Sequence, residues 1–69
     1  MNSGQVLKMI LNDKGKKQKW LADKMNIPLS TMSNILNKDI PFSRLLEICN
    51  LLEVPFNVFY KLYKTNLDK

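Results

Sequence analysis

Residues Gln18 to Ile35 read QKWLADKMNIPLSTMSNI, and the apolar spacing in this stretch decides the fold. From about Gln18 to Met25, the side chains of Leu21, Ala22 and Met25 recur on one face of a helix. Asn26 tolerates a left-handed turn, and Pro28 suits the start of the next helix. In that next segment Met32, Ile35 and Leu36 fall on one side, with Leu29, Ser30, Ser33, Asn34 and Asn37 largely on the other. Two short helices joined by a tight turn would bury Leu21, Ala22, Met25, Ile27, Met32 and Ile35 between them. Ala22 is small enough to let the two cross closely, near a right angle. The outer face of the second helix is short and polar, and Ser, Thr and Asn can reach base edges or phosphate oxygens. The same spacing also fits an ordinary helical hairpin with a polar solvent face.

Upstream, Ser3 reads as the N-cap of a first helix carrying Val6, Leu7, Ile10 and Leu11, and Gly15 ends it as a left-handed residue. Downstream, Pro41 opens a fourth helix with Phe42, Leu45, Leu46, Ile48, Cys49 and Leu52. Pro55 opens a fifth whose core face is Phe56, Phe59, Tyr60 and Tyr63, spaced i, i+3, i+4, i+7. No segment alternates with a period of two, so the expected class is all-α: a compact bundle of five helices and no sheet. No linker, repeat or low-complexity stretch interrupts the chain. The expectation is one domain over residues 1–69, with a core at about 5–61 and a short C-terminal extension.

The 69 residues carry 45% hydrophobic and 25% charged side chains, a globular rather than a disordered balance. There is no histidine, which removes the commonest general base and the commonest metal ligand. The lone Cys49 can form neither an intramolecular disulfide nor a cysteine-rich zinc site, and it reads as a buried small hydrophobe. Neither glycine belongs to a phosphate-binding loop. No catalytic residue, metal or cofactor is therefore expected. The longest apolar run is three residues, too short to span a membrane, and the amino terminus lacks a secretory stretch. A cytoplasmic location follows as the expectation.

Charge is concentrated. Between Lys14 and Lys24 stand five lysines against one acid, Asp23, which leaves +4 of the net +5 in eleven residues. A solvated helix face is one reading. A polyanion contact is the other, since lysines beside a helix start neutralise phosphates and release counterions. A membrane-surface helix fits poorly, because the cluster lacks a broad Leu- and Phe-rich face.

With these residues in view, the chain resembles the lambda-repressor/Cro-like (Xre-type) helix-turn-helix family. The matching positions are Gln18, Leu21-Ala22, Met25-Asn26-Ile27, Ser30-Thr31-Met32, Ile35 and Asn37. Further on, Leu45 to Cys49 and Leu52-Glu53-Val54-Pro55-Phe56 fit the family's LLKIA and L-G-V-S runs, and the likeness covers roughly residues 5–61. The resemblance implies duplex DNA binding with the third helix in the major groove, as a homodimer on a palindromic operator. By position, Pro28, Leu29, Ser30, Ser33 and Asn34 would read bases. Gln18, flanked by Lys17 and Lys19, would hold a phosphate and brace the recognition helix. Asn37, Lys38, Ser43 and Arg44 would add phosphate contacts. The last helix would supply a two-fold contact, assigned to Val58 and Leu62. No membrane and no small-molecule ligand is implied. A module that keeps this fold but binds protein, such as an antitoxin or antirepressor partner, is the alternative.

Several positions depart from the family. Lys17 replaces the usual Ser or Thr cap before Gln18, and Lys16 replaces the apolar residue ahead of it. Pro28 brings no donor, and Leu29 offers a base only its methyl groups. No Gln or Arg stands in the recognition helix, so Asn34 is the one residue there able to read adenine bidentately. The operator is accordingly expected to be A·T-rich. Finally, an Arg and a Glu that pair in many members are here Leu11 and Leu36, an apolar pair expected to touch.

Overall fold

A computed structural model describes residues 2–67, so Asp68 and Lys69, the end of the expected C-terminal extension, lie outside the described residues. Five helices follow in order: α1 Ser3–Asp13, α2 Gln18–Met25, α3 Leu29–Leu36, α4 Phe42–Leu51 and α5 Phe56–Leu67. No strand occurs among the described residues.

Helix ends are set by backbone chemistry. After α1, Gly15 takes φ 69°. The Lys16 N–H then donates to the Leu11 carbonyl at 2.9 Å and the Gly15 N–H to Asn12 at 3.0 Å. That is the paired closure of a Schellman motif. Asn26 repeats it after α2 at φ 59°, with Ile27 donating to Ala22 at 3.0 Å. Glu53 does the same after α4 at φ 57°, with Val54 donating to Cys49 at 2.9 Å. Glycine and asparagine announce such turns in a sequence; a glutamate does not.

The start of α1 corrects the expected cap. Asn2, not Ser3, is the N-cap: its side chain accepts the Gln5 N–H at 2.9 Å, and the Gln5 side chain accepts the Asn2 N–H at 2.9 Å. This reciprocal box satisfies two otherwise unpaired donors. Ser3 sits one residue inside, buried, and its hydroxyl oxygen accepts the buried Ile40 N–H at 2.8 Å. α3 and α4 begin directly after Pro28 and Pro41, neither of which supplies a side-chain cap.

One core joins all five helices. Val6, Leu7, Ile10 and Leu11 of α1 meet Leu21 and Ala22 of α2, Met32 and Leu36 of α3, Leu45, Ile48 and Cys49 of α4, and Phe59 of α5. Of the residues expected between α2 and α3, Leu21, Ala22 and Met32 are buried, while Met25, Ile27 and Ile35 are partly buried. Leu11 and Leu36 both lie in this cluster, on helices that pack against each other. The Cys49 thiol is buried, and desolvation pushes its pKa above the ordinary value.

Tyr60 departs from its expected place on the core face: it is 48% exposed. Phe59 points at the core, and Tyr60, the next residue, is turned by about 100° toward solvent. Tyr60 instead stacks on Phe56 with centroids 6.3 Å apart, and Phe56 meets Phe42 edge-on at 5.3 Å. Phe42, on the apolar side of α4 in the sequence, is 61% exposed.

Candidate nucleic-acid interface

The exposed side of α3 is made by Ser30, Thr31 and Asn34, with Asn37 and Lys38 exposed just beyond its end. Leu29 is also exposed, as is Pro28 ahead of it. Ser33 differs from the others. It is half-buried and its hydroxyl donates to the Gln18 side-chain carbonyl at 3.0 Å. That bond ties the first residue of α2 to the middle of α3. It also leaves the Gln18 amide NH₂ free to donate elsewhere. Lys17 and Lys19 flank Gln18 and are both exposed. Lys17 makes no side-chain cap to α2, so the first N–H groups of that helix lack a side-chain acceptor from the N-cap.

The loop after α3 is held from α1. The Ser3 N–H donates to Asp39 Oδ1 at 3.0 Å, and the Asn2 side chain donates to the Asn37 carbonyl at 3.3 Å. Gly4 explains how α1 comes so close. A methyl group there would lie 2.5 Å from the Lys38 carbonyl oxygen and 2.7 Å from the Leu36 carbonyl carbon. Lys8 donates from its ammonium to the Asn37 side-chain oxygen. Sequence patterning gives Lys8 no role, since it does not break the helical spacing, and it matches Thr31 to the family without assigning it a contact. The loop feeds directly into the first turn of α4, where Ser43 is exposed and Arg44 half-buried.

The lysine-rich segment is spread around α2. Lys16 and Lys24 hold their ammonium groups over the half-buried Trp20 ring, 5.0 and 5.8 Å from its centroid. Trp20 is two residues after Gln18, hence about 200° around α2 from it. Lys16 and Lys24 belong to the Trp20 side, and Lys17 and Lys19 lie between it and Gln18, lining a shallow depression with Lys16, Trp20 and Asp23.

Val58 and Leu62 are exposed on α5 and border a groove of about 380 Å³ with Ile10, Val54 and Pro55. Among the described residues no group of three or more His, Cys, Asp or Glu is placed to hold a metal, and no helix is long and apolar enough to cross a membrane.

No curated protein and no solved structure shows significant similarity to the chain. A family model does: the Cro/C1-type HTH DNA-binding domain matches residues 6–65, which takes in all of α2 and α3, the loop that α1 clasps and nearly all of α5. Five helices with a helix-turn-helix at α2 and α3 are consistent with that match, and the chain belongs to the Cro/C1-type helix-turn-helix DNA-binding domain family.

Proposed function

We propose that this domain is a sequence-specific regulator of transcription that places α3 in the major groove of duplex DNA. The observation that supports it best is the Ser33–Gln18 hydrogen bond. It fixes α3 on α2 while Ser30 and Asn34 stay exposed and the Gln18 amide stays available to a phosphate. Ser30 and Asn34 are the base readers in this reading, with Pro28 and Leu29 making apolar contacts such as to a thymine methyl. Ser33 lies on the reading helix but spends its hydroxyl on Gln18, so it positions. Lys17, Lys19, Asn37, Lys38, Ser43 and Arg44 meet the backbone, and Lys8 joins them through Asn37. Asn34 as the bidentate reader favours A·T-rich sites. A homodimer joined by Val58 and Leu62 would read a palindrome, and occupancy of a promoter is sufficient for repression. Such a protein works where DNA is, in the cytoplasm.

Binding to random-sequence duplex across salt concentrations tests the electrostatic half of this reading. With ~6–10 phosphate contacts per dimer, affinity should fall about 10³–10⁵-fold between roughly 50 and 200 mM salt. Lys17→Ala with Lys19→Ala should flatten the slope and weaken all sequences alike. Wild-type affinity indifferent to salt would refute DNA binding through this face.

A further inference from the structure

Behind α2, away from Gln18, lies a groove of about 540 Å³ between that helix and the end of α4. Its apolar part is the half-buried Trp20 with Leu51, and around it stand Lys14, Lys16 and Lys24, with Glu53 the one acid in the lining. The two ammonium groups over the indole are placed by cation–π attraction, which is weak at an exposed site and leaves their charge unspent. Three cations around an indole and a leucine form a mixed surface, basic at the rim and apolar at the floor.

We propose that this groove docks an acidic segment of a partner protein, one whose carboxylates meet Lys14, Lys16 and Lys24 while an apolar side chain packs on Trp20 and Leu51. Charge complementarity selects the sign of the partner. The floor selects its class: a duplex can offer phosphates to the lysines but no apolar side chain to the indole. Position agrees, because Trp20 is turned about 200° around α2 from Gln18, the residue that Ser33 of α3 holds. A partner seated here would leave α3 uncovered, so the domain could hold DNA and the acidic segment together. The inference stands whether or not the DNA-binding reading does.

Trp20 is the only tryptophan, so its fluorescence reports on the groove directly. The probe is a short synthetic peptide of Asp and Glu with one central Leu. A saturable change in Trp20 emission is expected. It should weaken about five- to tenfold in a Lys16→Gln, Lys24→Gln protein, and by less than about twofold in a Lys61→Gln, Lys64→Gln protein, whose lysines lie on α5 outside the groove. Replacing the peptide's Leu by Ser should abolish the saturable change, and the peptide should still bind protein saturated with duplex. Any of four results overturns the proposal: no saturable change, equal losses in the two lysine pairs, equal binding of the Ser peptide, or displacement of the peptide by duplex. The last would assign the groove to DNA.

Discussion

Gly4 and Glu53 are two positions where the backbone restricts the side chain, and they point in opposite directions. A methyl group at Gly4 has only fixed carbonyls in front of it, those of Leu36 and Lys38. Alanine would improve helix propensity by about 1 kcal/mol, but forcing α1 off the loop costs more. Gly4→Ala should therefore destabilise by about 2 kcal/mol in urea melts and weaken DNA binding by moving Asn37 and Lys38. Glu53 has the reverse problem. Its left-handed φ of 57° costs an L-residue roughly 1–2 kcal/mol, against a gain of about 0.4–1 kcal/mol for not having glycine's freedom when unfolded. Glu53→Gly should stabilise by about 0.5–1 kcal/mol, and a lower midpoint would show that the Glu53 side chain makes a compensating contact. At the interface, Asn34→Ala should relax base choice at one operator position, costing about 1–3 kcal/mol there, whereas Gln18→Ala should weaken every sequence in a variant library alike. Unchanged base preference removes Asn34 from the reading set.

Between helices, α3 also packs on α1. Leu11 and Leu36 occupy positions where much of the family has an Arg and a Glu, and both are buried. Replacing both charges by packed hydrophobes avoids the cost of stranding one of them. Leu36→Ala should cost roughly 2–4 kcal/mol. Leu36→Glu should cost more, and adding Leu11→Arg should recover much of that loss; urea melts in which the single and double charged variants are equally unstable would exclude the swap. On α5, a Val58→Asp, Leu62→Asp protein should lose self-association in sedimentation at rising concentration. If it dimerises as wild type does, the ladder of exposed Phe42 and Tyr60 with half-buried Phe56 between them becomes the surface to test. Elements themselves were legible because 3.6-residue spacing and the Gly15, Asn26 and proline punctuation agree. Ser3 and Tyr60 were misplaced for local reasons. Two adjacent residues competed to cap α1, and a continuous aromatic stripe on α5 is wider than the arc that the core can cover.

The described residues extend 32 Å along their longest axis and carry one recognition helix. Half-sites one DNA turn apart lie about 34 Å from each other, so reading a palindrome takes a second copy rather than a second site on the same one. Charge at this scale was only half legible: composition located the lysines, but not that Lys16 and Lys24 stand over the Trp20 ring, on the side of α2 away from Gln18. Which side meets DNA is the claim on which the rest depends. Amide and side-chain shifts of ¹⁵N-labelled protein, followed while an A·T-rich duplex is added at low salt, locate that face directly. The largest changes should fall on the Gln18 side-chain amide, Ser30, Thr31, Asn34 and Lys38, with the Trp20 indole N–H left nearly unmoved. Large shifts at Trp20 and Leu51 with a silent α3 would contradict the assignment.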